Sequence, residues 1–249
     1  MSEGALAQWF DRSLALRWDE LLSDHCEHFD SSIERFVRKS LTGKSYSQRL
    51  DVFATAFEQC LPVSNFSESC AILQRCFGPE NELSTGMFSN FYWLLPVSRF
   101  IQRHGHQDVS IALDTIGELT KRLTGEYAIR PLARDFPEVV LKQCRLWADS
   151  SSFHQRRLAT EGLRPYLPWA AKLTVYLDDP LPVLQLLEQS LGDDSLYVRK
   201  SVSNHASDYF RLDHIEACDY INSWRKTYPT ASLDVFKRLD KRLQTRTSS

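Results

Sequence analysis

The sequence predicts an all-α protein built from stacked helices, and three observations carry that expectation. Residues 122–131 (RLTGEYAIRP) and 157–165 (RLATEGLRP) repeat each other about 35 positions apart: Arg-Leu, a glutamate four residues after the Arg, then Arg-Pro. A fixed period of that length is the signature of helical-repeat architectures. A weaker copy follows after about 43 residues, where Arg156-Arg157 with Glu161 superposes on Arg199-Lys200 with Asn204, each run preceded by an Asp-Ser stretch. Leucine is abundant, whereas β-branched runs and Asn-Gly or Asp-Gly hairpin signals are scarce. The expected fold is a helical repeat solenoid, an α-α superhelix. Glu126, Glu161 and Asn204 would then occupy one equivalent position and face a single concave cleft.

The elements follow in order. Ala5 to about Cys26 carries Leu6, Trp9, Phe10, Leu14, Leu16, Leu21 and Leu22 at mixed helical spacing and fits one or two helices. Residues 28–61 read as a helical hairpin broken at Thr42-Gly43-Lys44-Ser45 and ended by Pro62. A short helix starts at Ser67 and runs through Phe77, and Gly78-Pro79-Glu80-Asn81 is a turn or loop. Phe88, Phe91, Tyr92, Trp93, Leu94, Leu95 and Phe100 form the most aromatic stretch, expected to pack between helices. From there the pattern is regular, with helices over 108–123, 137–147, 152–162, 180–191, 195–209, 215–228 and about 232–243. Prolines 131, 137, 165, 168, 180 and 182 lie between them, marking helix starts rather than kinks. Thr245–Ser249 should fray. No linker divides the chain, so residues 1–249 are expected to form one domain, less regular over 1–105 and repetitive over 106–243. A length of 249 residues exceeds the usual single compact core, but a solenoid grows by adding repeats.

Hydrophobic content of 43% with 25% charged residues is ordinary for a soluble protein. No run of 18 apolar residues is present, so no membrane span is expected. The six cysteines show no CxxC pair and no zinc-ligand spacing, and no secretory leader precedes them, which predicts reduced core thiols in a cytoplasmic protein with no metal. The net charge of −2 argues against a generic nucleic-acid coat, but the charge is uneven. Residues 1–100 hold 9 Lys and Arg against 13 Asp and Glu, and the remainder 21 against 19. Basic clusters at 121–122, 156–157, 199–200 and 237–246 all lie in the repetitive half. Thr42-Gly43-Lys44-Ser45 lacks the leading glycine of a P-loop and follows a helix, which leaves phosphoryl transfer without support.

Three stretches, ELTKRLTGEYAIRP (118–131), RRLATEGLRPYLPWA (156–170) and YVRKSVSNHASD (197–208), resemble the AlkC branch of the DNA alkylation-repair glycosylases, HEAT-like helical solenoids related to AlkD. The match is continuous over about 85–210 and looser before it. After Ser223 the chain departs from the pattern, with Trp224 followed by Arg-Lys-Thr-Tyr-Pro and then ASLDVFKRLDKRL (231–243). The resemblance implies hydrolysis of the N-glycosidic bond of cationic N3-alkylated bases, chiefly 3-methyladenine, in double-stranded DNA. The residue types suit that chemistry without a cofactor. A cationic base is already a good leaving group, so the remaining tasks are to stabilise an oxocarbenium-like sugar and to position water, both suited to carboxylates. The resemblance makes Glu161 and Asp208 the pair nearest the sugar and Glu126 a third catalytic group or the holder of a water. Trp169 would set its ring against the sugar or the cationic base.

Each assignment has a plainer reading beside it. Arg-Leu-x-x-Glu is also an ordinary i,i+4 ion pair. Trp169, after Pro168, could simply seal a helix junction. Asn204 and His205 could bond between repeats. Arg122, Arg156, Arg157, Arg199 and Lys200, with His205, are the candidate DNA-binding groups, because basic residues in successive repeats can track phosphates. Several must instead pair with nearby acids. Arg130 and Arg164, each before a proline, are expected to stitch repeats together. The competing function is a non-catalytic helical-repeat scaffold for DNA or a protein. No protein partner is indicated, and a monomer is expected.

Overall fold

The structure, a computed structural model, describes residues 6–26, 29, 33–62, 64–85 and 90–247. Ala5 and Phe88 of the expected elements lie outside these residues, as do Ser248 and Ser249 of the tail. Among the described residues the chain is helical, with no strand. Helices α1 (Arg12–His25), α2 (Ile33–Ser40), α3 (Tyr46–Cys60), α4 (Phe66–Arg75), α5 (Leu95–His104) and α6 (Val109–Leu119) are followed by α7 (Glu126–Asp135), α8 (Pro137–Ala148) and α9 (Phe153–Glu161). Then come α10 (Leu181–Gln189), α11 (Leu196–Arg211), α12 (Ile215–Thr227) and α13 (Leu233–Thr247). No described helix is long and apolar enough to cross a membrane.

Local chemistry explains most boundaries. The side chains of Asp11, Asn65 and Asp108 accept from backbone N–H groups in the first turns of α1, α4 and α6. Ser45 and Gln48 form a reciprocal capping box at the start of α3. Gly43, at φ +72°, makes the left-handed turn between α2 and α3 that a side chain would resist. Prolines stand in the first turns of α5, α8 and α10.

Pro131 departs from that rule. It lies inside α7, a helix the sequence pattern did not predict. A proline there removes one backbone bond, and burial of Ala128, Ile129, Leu132 and Ala133 offsets that cost. Conversely, the helix expected over 108–123 stops at Leu119, and residues 120–125 form the turn into α7.

The described residues pack as two compact units, one drawn from Met1–Asn81 with Gly86–Ala128 and the other from Glu82–Thr85 with Ile129–Ser249. In the first, α1 packs on α2 and α4, α3 on α2 and α5, and α4 on α6. Its core is aromatic: the Trp18 ring lies 4.8 Å from Phe57 and 5.5 Å from Trp93, and the Trp18 indole N–H donates to the Trp93 carbonyl at 3.0 Å. In the second unit α8, α10 and α12 pack in one row and α9, α11 and α13 in a second, with α8 also on α9. Between the rows, Leu184, Leu187, Val202, Tyr209, Ile221, Trp224, Val235 and Leu239 form a continuous buried cluster. The six cysteines are free thiols, with Cys70, Cys76 and Cys144 buried.

The 43-residue repeat is a real structural one. Ser152 and Ser195 precede α9 and α11 at the same register, so Arg156 and Arg199 occupy the same place in their helices. Arg156 donates to both carboxylate oxygens of Asp193 at 2.7 and 3.0 Å and turns back onto the carbonyls of Ser150 and Ser151. Arg199 likewise donates to Oδ2 of Asp234 at 3.0 Å and turns back onto the carbonyls of Asp193 and Asp194. The stronger 35-residue match is not structural. Glu126 opens α7 whereas Glu161 closes α9, and Pro131 is helical whereas Pro165 is in a loop. The expected equivalence of Glu126 with Glu161 and Asn204 is therefore corrected: Asn204 matches Glu161, and Glu126 matches neither.

Candidate functional site

The second row of the second unit holds a buried polar centre. Glu161 ends α9, and Asp208 lies in the last turn of the 16-residue α11, so the two carboxylates come from neighbouring helices of that row. Arg164, in the loop after α9, joins them. Its Nε and Nη2 donate to Oδ2 and Oδ1 of Asp208 at 2.9 and 3.1 Å, and its Nη1 donates to Oε1 of Glu161 at 2.7 Å. The planar guanidinium matches a carboxylate edge to edge, which lysine could not reproduce. The second oxygen of Glu161 accepts from the Ser201 hydroxyl at 2.7 Å, which in turn accepts from Thr160 at 2.7 Å. Arg157 approaches Glu161 at 3.5 Å and lies over the Tyr197 ring.

Glu161 and Asp208 are 1% and 0% exposed. Burial alone would raise the pKa of Glu161, but the guanidinium groups of Arg157 and Arg164 and the Ser201 hydroxyl outweigh it and hold the carboxyl below its ordinary range. Arg164 itself is pushed down by burial and, more strongly, up by its two acids, with a net rise. The centre is thus a desolvated network bridged by one guanidinium, in which a charge acts with more force than it would in water.

The loop after α9 starts at Gly162 and carries Arg164. Arg130, from α7, closes its base by donating to the carbonyls of Gly162, Arg164 and Ala171. Leu173 N–H donates to the Pro165 carbonyl at 3.1 Å. Trp169 lies within this closed loop with half of its surface exposed, so it does not seal a helix junction. Arg130 and Arg164 both stitch neighbouring segments, as their sequence positions suggested. Arg164 also holds the acid pair, a role the sequence reading did not give it.

The other site residues divide sharply. His205 is fully buried, with Nδ1 against the Thr160 carbonyl at 2.8 Å and its ring stacked on Tyr209, so it has no access to a nucleic-acid backbone. Burial pushes its pKa down to about 4. Its expected DNA contact is corrected to a structural one. Arg156 and Arg199 are engaged with acids and carbonyls as described. Arg122 donates to the Gly78 carbonyl and to Glu118 within the first unit. Glu126 is buried at the start of α7, also in the first unit. Lys200 is exposed and lines a groove of about 440 Å³ with Asn204, Arg238, Lys241 and Arg242. This basic groove adjoins the acid pair: Arg242 donates to Ser207 Oγ at 3.4 Å, and its pKa is lowered by burial and by Arg164, partly offset by Asp208 and Glu161. The cluster at 237–246 was visible in the sequence, but its inward face was not assigned.

No family model matches the chain. An uncharacterized protein, YhaZ of Bacillus subtilis (strain 168), is 33% identical over 130 residues, which are 52% of this chain and 36% of that protein. A solved structure, the Pseudomonas fluorescens alkylpurine DNA glycosylase AlkC bound to DNA containing an abasic site analog, superposes with a TM-score of 0.82 at 22% identity. That likeness covers 96% of this chain and 64% of the glycosylase, so this chain spans less than two thirds of the length of each of these two proteins. The chain therefore carries the all-α helical-repeat fold seen in AlkC.

Proposed function

We propose that this protein is a DNA alkylation-repair glycosylase that hydrolyses the N-glycosidic bond of cationic N3-alkylated bases, chiefly 3-methyladenine, in double-stranded DNA, acting as a cytoplasmic monomer. The observation that carries this reading is the convergence of two buried carboxylates, Glu161 and Asp208, on Arg164 beside a basic groove, in a fold shared with a DNA-bound glycosylase.

The chemistry follows from charge. The C1′–N bond breaks with its electron pair going to the base, which leaves neutral, while positive charge develops on the sugar. Asp208 and Glu161, both buried and bonded to Arg164, oppose that charge where water would screen it. A water then adds to C1′ and gives up a proton to a carboxylate. Arg164 holds the two acids in one plane until substrate arrives and moves off one of them as the sugar takes its place. Trp169, half exposed on the loop after α9, meets the damaged nucleotide with its π face in this reading. The reading rests on Glu161 and Asp208 and does not require Glu126.

One observation favours the scaffold reading instead. Both acids are fully paired within the protein, as a structural cross-link would be. Release of free base from methylated duplex DNA decides between the two. The glycosylase reading expects 3-methyladenine to appear above the spontaneous rate. A folded wild type that releases nothing from 3-methyladenine, 7-methylguanine or 3-methylcytosine at several salt concentrations would leave a non-catalytic binder.

A further inference from the structure

One side of the basic groove, α13, lies on the part of the chain that departs from the glycosylase sequence pattern, and the other side, α11, lies on a stretch that follows it. Arg238, Lys241 and Arg242 are spaced i, i+3, i+4 on α13 and so share one face, and Lys200 and Asn204 share a face of α11. Helices α11 and α13 pack together through Val202, Ala206, Val235 and Leu239, which turns the two faces toward a common groove. Among the described residues its lining holds four cationic side chains and no carboxylate. The acids of α13 are turned elsewhere, Asp234 to Arg199 and Asp240 to Arg225. Asn204 completes the floor, and its buried side-chain oxygen has no hydrogen-bond partner among the described residues. An amide oxygen and nitrogen exchange places by a simple flip, so this group can turn a donor toward an anion.

We propose that the groove between α11 and α13 seats a phosphodiester of duplex DNA, with Lys200 and Arg238 as its principal cations and Asn204 as a hydrogen-bonding partner. The Arg242–Ser207 contact puts this phosphate next to the residue preceding Asp208. The groove thus fixes the register in which the strand passes the acid pair. This deepens the glycosylase reading by naming where the backbone is held, and its test uses undamaged DNA so that the two ideas fail separately.

The experiment is equilibrium binding of a labelled undamaged duplex, followed by anisotropy across salt concentration. The double variant Lys200→Gln/Arg238→Gln is expected to bind about tenfold more weakly, with the slope of log affinity against log salt reduced by about 2, because each phosphate contact releases roughly one counterion. Lys142→Gln/Arg145→Gln, which removes two exposed cations from α8 in the other row, is expected to change neither quantity appreciably. Asn204→Asp adds a carboxylate among four cations. It is expected to keep or raise thermal stability while weakening DNA binding, which a merely structural groove would not do. Unchanged affinity and slope in Lys200→Gln/Arg238→Gln, or an equal loss in the α8 control, would overturn the proposal. Base release by a wild type whose groove variant binds DNA normally would also overturn it and leave the glycosylase reading standing. Groove-dependent binding without base release would do the reverse.

Discussion

The guanidinium of Arg164 bonds both carboxylate oxygens of Asp208 while its remaining nitrogen reaches Glu161, so one cation from a loop holds two acids from two helices. Removing it leaves a pair of buried negative charges with one compensating group fewer. Arg164→Met is expected to destabilise the fold by about 3–5 kcal/mol. Arg164→Lys, which keeps the charge but not the fork, is expected to recover part of that loss. Urea denaturation of the three proteins checks the order.

Stability should fall on mild acidification because of His205. Burial depresses its pKa from 6.5 to about 4, so between those values the unfolded chain binds a proton that the folded chain does not. The contribution is fully present above pH 6.5 and is lost as pH drops toward 4, on the order of 3 kcal/mol. Glu161, whose pKa is lowered, contributes stability above its ordinary 4.5 that is lost as pH falls further. His205→Gln, which can still donate to the Thr160 carbonyl, is expected to flatten the upper window and leave the lower one. Melting temperatures measured across pH for both proteins test this.

The two repeat-equivalent arginines should differ in worth. Arg156 grips Asp193, whose side chain is 7% exposed, whereas Arg199 grips Asp234, at 45%. Removing the first leaves a buried acid, and Arg156→Met is expected to cost about 2–3 kcal/mol. Arg199→Met should cost about 1 kcal/mol or less, since solvent screens its acid. Denaturant midpoints give the comparison directly.

Trp169 is half exposed and packs little, so Trp169→Ala is expected to leave stability within about 0.5 kcal/mol of wild type. If its ring meets the damaged nucleotide, base release should drop by roughly tenfold or more, the value of a desolvated cation–π contact of about 2 kcal/mol. Comparing thermal melts with single-turnover release separates the two effects.

Helix periodicity made most elements legible, and the prolines at 137 and 182 marked true helix starts. α7 was hidden because Pro131 normally argues against a helix interior, and only the burial of its neighbours overrides that. The sequence similarity between 122–131 and 157–165 misled for a related reason. Matching letters spanned a helix start in one copy and a helix end in the other, so the side chains do not correspond. The fainter match 43 residues on was structural, since Arg156 and Arg199 must lie at one register to bond the same two preceding carbonyls. Arg164 was read as a stitching residue because its proline neighbour is visible in sequence, whereas its bond to Asp208, 44 positions away, depends on the packing of α9 against α11.

The central claim is that the buried acid pair performs chemistry, and the most direct measurement is single-turnover release of 3-methyladenine by Asp208→Asn. Asparagine keeps the volume and one acceptor for Arg164 but loses the negative charge. With folding and DNA affinity matching wild type, the rate is expected to fall by at least about a hundredfold. Release at the wild-type rate from that folded variant would contradict the claim and return Asp208 to a purely structural role.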